Sequence, residues 1–183
     1  MNKLADLAGA KSRDRVSRPL FIRPLFIADC MVGKLARWLR LLGFDVSYYS
    51  KIEDDRLIEL AEKENRLILT RDHQLINKAS KRKSLAQKVL LIESEHWEEQ
   101  VEQVLDHFDL RAEINPNSRC LTCNTQLKFL PRSRAKNLVP PFIYEQAQSF
   151  ALCPGCGRVF WKGSHFRDME KKLKRFTTGS QSV

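Results

Sequence analysis

The sequence predicts an α/β protein: a small parallel sheet flanked by helices, followed by a C-terminal module built on four cysteines. Three observations carry that prediction. Short apolar runs alternate with amphipathic segments throughout residues 24–110. Aspartates stand where those runs give way to turns or to the first turn of a helix. Two CxxC pairs, Cys120/Cys123 and Cys153/Cys156, come after the alternation has stopped. Strand–helix units in series require parallel strands joined by right-handed crossovers, with helices on both faces.

Residues 1–23 are polar and basic, without periodicity, and read as a flexible arm. Within them RPLFI at 18–22 is repeated at once as RPLFI at 23–27, and only the second copy leads into Asp29 at strand spacing. From residue 24, PLFIA is a buried strand. MVGKLARWLRLL is a helix, with Leu35, Trp38, Leu39 and Leu42 at i, i+3, i+4 and i+7 on one apolar face, and Gly43 ends it. DVSYY is a second strand. DDRLIELAEKEN is a helix with Asp54 near its start, Leu57, Leu60 and Ala61 inward, and Glu59–Lys63 an exposed i,i+4 pair. RLILT is a third strand ending at Arg71-Asp72, and HQLINKAS begins the next helix. KVLLI is a fourth strand. HWEEQVEQVLDHF is a fourth helix, with Trp97, Val101, Val104, Leu105 and Phe108 on one face. The domain then ends near residue 110. DLRAEINPNSR reads as a polar linker, 119–166 hold the cysteine module, and 167–183 form a basic, frayed tail.

Composition narrows the function classes. The chain has 183 residues, 43% of them hydrophobic, which is ordinary for a globular core. Its net charge of +10 favours an anionic partner, most simply nucleic acid. No run approaches the ~18 apolar residues of a membrane span. The N-terminal stretch lacks the apolar core of a signal peptide, so a cytoplasmic location is expected. Five cysteines in a reducing compartment argue against disulfides.

Asp29 and Asp72 both follow predicted strands, and Asp54 opens a helix across the same sheet edge, where ligands of open α/β sheets bind. Crowded carboxylates repel one another unless a cation lies between them. Mg²⁺ or Mn²⁺ takes hard oxygen ligands, waters and a substrate phosphate, and suits the hydrolysis of a phosphodiester. The competing reading is that each aspartate only caps a helix. Lys34, Arg37 and Arg40 recur every three residues on the first helix, and Arg71 adjoins Asp72, so these four are candidates for phosphate contacts. For them the alternative is a solvated helix face.

The stretches IADCMVGKLARWLRLLGFDV and EDDRLIELAEKENRLILTRD resemble the Mut-seven C-terminal RNase domain family, a branch of the PIN-like nucleases. In that family a zinc ribbon follows the domain, and RCLTCNTQL and CPGCGRVFWKGSHF match its pattern. The resemblance covers about residues 24–168. It implies a PIN-like α/β fold and a metal-dependent ribonuclease. It places the acidic positions at Asp29, Asp54 and Asp72, with Asp55 able to replace or assist Asp54. PIN-like nucleases often use a fourth acid, for which Glu93 and Glu95 are the candidates. The resemblance admits a homodimer. Cys30 stands where a small residue is expected and reads as a packed thiol, because hard Mg²⁺ does not favour sulfur.

Two CxxC turns complete a tetrahedral site of four thiolates, and thiolates suit Zn²⁺ above Mg²⁺. Cys120, Cys123, Cys153 and Cys156 are therefore expected to hold a structural zinc that supplies much of the folding energy of a module too small to fold unaided. A redox role would require one CxxC beside a thioredoxin-like βαβ unit, not two after the domain. The insert FLPRSRAKNLVPPFIYEQAQ is expected to form a loop and short helix. Arg119, Lys128, Arg132, Arg134, Lys136, Arg158 and Lys162, interleaved with Phe129, Tyr144, Phe160 and Trp161, are candidates for a single-strand RNA surface. The alternative makes those aromatics the ribbon's small core, preferred for Phe160 and Trp161. For His165 a hydrogen bond within the ribbon is the default.

Two readings of function follow. The first is an endoribonuclease: Asp29, Asp54 and Asp72 hold Mg²⁺ or Mn²⁺, an activated water attacks phosphorus, the product carries a 5′ phosphate, and the ribbon and arm position RNA. The second is a non-catalytic RNA-binding adaptor acting on ribosomal or transfer RNA. A phosphoacceptor receiver-like domain would need a fifth strand with a lysine, and none is found.

Overall fold

The computed structural model describes residues 23–177. The arm before Arg23, including the first RPLFI copy, lies outside them. β1 (Leu25–Ala28), β2 (Asp45–Tyr48), β3 (Leu67–Thr70) and β4 (Val89–Leu91) form one parallel sheet in the order β2-β1-β3-β4. The second RPLFI copy supplies β1, a central strand.

Side chains alternate across this sheet, and the helices sort accordingly. Phe26, Ala28, Val46 and Leu69 point to one face, where they pack with α1 (Gly33–Leu41) and α4 (Trp97–His107). Ile27 and Ile68 point to the other, against Leu57, Ile58 and Ala61 of α2 (Asp54–Lys63) and Leu75 and Ala79 of α3 (His73–Ser80). The chain reverses direction after β2, so crossovers of one hand put α1 on one face and α2 and α3 on the other. On α1, Trp38 stacks on Trp97 of α4 with ring centroids 4.0 Å apart.

Two glycines permit close approaches on α1. A Cβ at Gly33 would lie 2.5 Å from the Tyr48 hydroxyl, so glycine lets the end of β2 pack on the helix start. Gly43, at φ +97°, ends the helix, and a Cβ there would clash with the Asn115 carbonyl. That contact belongs to the segment read as a polar linker. In that segment a 3-10 turn at Arg111–Glu113 is followed by Asn115 and Asn117 N–H groups donating to the Leu42 and Leu41 carbonyls. They satisfy the orphan acceptors at the C-terminus of α1, which explains why a polar stretch is fixed there.

The cysteine module is a second, antiparallel sheet: β5 (Lys128–Leu130), β6 (Phe150–Leu152) and β7 (Val159–Trp161), in that order. Its insert contains two short helices, α5 (Arg132–Ala135) and α6 (Pro141–Gln146), where one was expected.

The tail expected to fray, 167–183, is helical over its described part, and 178–183 lie outside the described residues. Residues from Ser164 to Thr177 form α7, and its Leu173 and Phe176 are buried in the core beneath α4. Met169, Leu173 and Phe176 fall at i, i+4 and i+7, an apolar stripe hidden among lysines. Phe176 meets Trp97 edge-on, and its burial is worth about 2–3 kcal/mol. Arg175 pairs with Glu102 at 2.7 Å. Among the described residues no helix is long and apolar enough to cross a membrane.

Candidate active site and metal centre

β1 and β3 lie side by side although β2 intervenes in the chain. Their C-terminal ends therefore flank the point where strand order reverses, the place where open α/β sheets bind ligands. Asp29 follows β1 there and is 4% exposed. Its backbone N–H donates to the Leu69 carbonyl at 3.0 Å. One carboxylate oxygen accepts the Met31 N–H at 2.5 Å, capping a 3-10 turn at Cys30–Val32, and the other accepts the hydroxyl of Thr70. Thr70 is fully buried at the end of β3, and its oxygen also accepts the Asp72 N–H at 2.9 Å. Asp72 in turn caps α3 by accepting the Gln74 N–H at 2.7 Å. One hydroxyl thus ties together two of the expected acids. Thr70 was not among the candidate residues, although its place two before Asp72 in LTRD was a visible signal.

Asp54 is placed differently. It opens α2 but gives its carboxylate to Lys78 of α3 at 3.0 Å, with Asp55 of the same helix at 3.7 Å from that ammonium. These carboxylates hold the Lys78 ammonium above its usual range, the Asp54 hydrogen bond foremost. The three acids therefore share a strand edge without converging on one point. Among the described residues, only the four cysteines bring three or more such ligand atoms within 4.8 Å of one another. Mg²⁺ keeps several waters and usually takes one or two carboxylates, so a site at this edge would not need a three-acid cage.

The expected cations divide. Arg37 is exposed on α1. Lys34 sits over the Trp97 ring, 5.3 Å from its centroid, packing against α4. Arg71 pairs with Glu95 at 2.9 Å, and this contact holds the Glu95 carboxyl below its usual range. Glu95 is the fourth-acid candidate that reaches a residue of this edge. Glu93 only donates its N–H to Gln103, at 3.1 Å.

Arg40 must be corrected. It is 6% exposed, and donates to the Val46 carbonyl at 2.8 Å and to the Leu121 and Thr122 carbonyls at 3.1 and 3.0 Å. A three-residue spacing slips back around a helix, so Arg40 lies about 120° from Lys34 and faces the ribbon instead of solvent. It is a staple between β2 and the first CxxC turn, not a phosphate ligand. Cys30 is corrected too: Val32 is the turn residue that enters the core, and Cys30 is exposed. Partial burial pushes its thiol up, as do Asp29 and, more weakly, Asp54.

The cysteine cluster has a repeated design. Cys120 N–H donates to the Thr125 carbonyl and Asn124 N–H to the Cys120 carbonyl, each at 2.9 Å. Cys153 N–H donates to Arg158 and Gly157 N–H to Cys153, again at 2.9 Å. Asn124 and Gly157 hold matching positive φ values, 66° and 72°. Two equivalent turns thus present four sulfurs to one centre, with Cys120–Cys156 at 3.7 Å and Cys123–Cys153 at 3.3 Å. The Thr125 hydroxyl and N–H bring Cys123 down to about 6. Cys156 feels the opposite: against the pull of the Arg158 N–H, burial and the neighbouring sulfurs push it up to about 12. Four thiolates this close need a cation, and the all-sulfur donor set is compatible with zinc.

The first turn is anchored to the edge of the parallel sheet. Asn124 accepts the Val46 N–H at 3.1 Å and donates to Asp45 at 2.8 Å, while Arg119 and Arg66 reach Asp45 at 3.0 and 2.7 Å. Burial raises the Asp45 carboxyl, but Arg66, Asn124 and Arg119 outweigh it and hold the group below its usual range. Of the expected ribbon surface, Trp161 joins the module's core with Leu130 and Phe150, whereas Phe129 is 78% exposed. His165 falls in the first turn of α7, outside the residues whose side chains are described.

A family model described as Mut7-C RNAse domain matches residues 24–173. No curated protein and no solved structure matches the chain.

Proposed function

The chain belongs to the Mut7-C RNAse domain family, and on that premise we propose that it is an endoribonuclease that uses Mg²⁺ or Mn²⁺ at the Asp29 edge. The observation that carries the reading is the Asp29–Thr70–Asp72 network at the switch point of the parallel sheet. Asp29 and Asp72 would hold the divalent ion, which, when bound, acidifies a water and neutralises charge on the scissile phosphate. The Thr70 hydroxyl fixes the rotamer of Asp29 and leaves that carboxylate lone pairs to offer. Arg37 supplies a phosphate contact from α1, and Arg71, held by Glu95, flanks the cut. Cleavage yields a 5′ phosphate. The four cysteines bind zinc structurally, and the ribbon carries part of the RNA contact. A cytoplasmic location suits free thiols.

Asp29→Asn is expected to lower the rate of RNA cleavage by at least about a hundredfold, while the melting temperature stays near that of wild type. Wild-type cleavage by Asp29→Asn would refute the reading. The Asp54–Lys78 ion pair and the dispersed carboxylates favour a second reading, a non-catalytic RNA-binding adaptor. It expects binding that falls steeply with salt, is indifferent to Mg²⁺ and yields no product.

A further inference from the structure

The register of the ribbon sheet sets Phe129 of β5, Ala151 of β6 and Phe160 of β7 directly opposite one another. Directly opposed residues project from the same face, and neighbouring strands lie about 4.8 Å apart. Two phenyl groups therefore stand roughly 10 Å apart across an alanine, with room for one flat ring between them. The adjacent row, Leu130, Phe150 and Trp161, points the other way into the module's core. The Phe129 row is no part of that core.

This face forms one wall of a groove of about 650 Å³ that reaches Leu41 of α1 and Met169 of α7, with the exposed Phe142 on its rim. Its lining includes Lys162 and Arg119, the latter also paired with Asp45, and no acidic residue. The whole stretch 119–166 carries seven Lys or Arg residues against the single acid Glu145. An apolar peptide would be served by the aromatics but has no use for the cations. A single strand of nucleic acid uses both: its bases stack on rings and its phosphates meet positive charge. Leu41 closes the end of α1 opposite Gly33, so roughly 14 Å of helix lies between the groove and the Asp29 edge. Arg37 is midway.

We propose that the outer face of the ribbon is a base-stacking site for single-stranded RNA, with one unpaired base held between Phe129 and Phe160 over Ala151. This rests on the reading of the protein as an RNA-acting enzyme and adds the substrate class: RNA unpaired where it crosses the ribbon. A duplex keeps its bases stacked on one another and cannot offer one to the slot.

The test uses the full zinc-loaded chain without added Mg²⁺ or Mn²⁺, a labelled 20-nucleotide single-stranded RNA, and the same strand annealed to its complement. Phe129→Ala is expected to weaken single-strand binding about tenfold and leave duplex binding unchanged, since one stacked base is lost. Phe129→Tyr keeps a stacking ring and should bind within about twofold of wild type. The salt dependence should not change, because no phosphate contact is removed. Equal single-strand affinity for Phe129→Ala and wild type would overturn the proposal, as would an equal loss on strand and duplex. An apolar peptide held by the groove and not displaced by RNA would overturn it too, assigning the face to a protein partner. Adding Mn²⁺ separates the two claims. A protein that cuts RNA yet is indifferent to Phe129 overturns the stacking site alone. One that loses strand binding with Phe129→Ala and cuts nothing supports the site and overturns the nuclease.

Discussion

Thr70 is the residue on which the acidic edge turns. Its buried hydroxyl donates to Asp29 and accepts from the Asp72 backbone, so two carboxylate positions depend on one oxygen. Thr70→Val keeps the shape and removes the hydroxyl. Supporting bonds of this kind typically govern 10- to 100-fold in metal affinity or activity, and we expect a cleavage loss of about that size. Thr70→Ser restores the oxygen and should recover most of the rate in the same assay, while a loss in both variants would assign Thr70 to packing alone. At this scale the sequence was partly legible. The placement of Asp29 after β1 and of Asp72 at the start of α3 was readable because strand ends and helix starts are local signals. Arg40 was misread because its partners, the Leu121 and Thr122 carbonyls, are far along the chain and only the fold brings them near. Lys78 was missed for the same reason: its partners Asp54 and Asp55 lie on another helix.

Among the elements, the four strands and the helices α1 to α4 could be read from period and stop signals alone. The element that escaped was α7, whose apolar stripe is thin and surrounded by lysines, so local composition suggested a solvated tail. Tertiary contact with Trp97 decides its fate. The docking of the first CxxC turn on β2 also escaped, because it hangs on Asp45, an ordinary strand residue in the sequence. Asp45 binds Arg66, Asn124 and Arg119, and its carboxyl is held below the usual range in the folded protein. The stability it adds is therefore complete above the unfolded value of about 4 and disappears as pH falls through the lower folded value. Asp45→Asn should cost about 2 kcal/mol at pH 7 in urea unfolding. The gap between variant and wild type should close as pH falls through the lowered folded value, where wild-type Asp45 itself becomes protonated. A gap that stays constant with pH would show that the Asp45 charge does not hold the ribbon in place.

Across the whole molecule, sulfur and carboxylate side chains are kept apart by topology. Soft sulfurs gather in the antiparallel module, and hard carboxylates stand at the C-terminal end of the parallel sheet. Between them α1 runs as a strut, with Asp29 before its start and the buried Arg40 fastening its end to the ribbon. An RNA strand drawn along it would meet the aromatic groove, Arg37 and the acidic edge in turn. On the proposed function, this edge cuts RNA. That is tested most directly by incubating total cellular RNA with wild-type protein or with the Asp29→Asn/Asp72→Asn double variant, with and without Mn²⁺, and sequencing the new 5′ ends. An endoribonuclease of this kind should give 5′-phosphorylated ends that appear only with wild type and only with Mn²⁺, clustered where the RNA is unpaired. The same ends from the double variant, or none from wild-type protein that still retains the RNA on a filter, would contradict that reading.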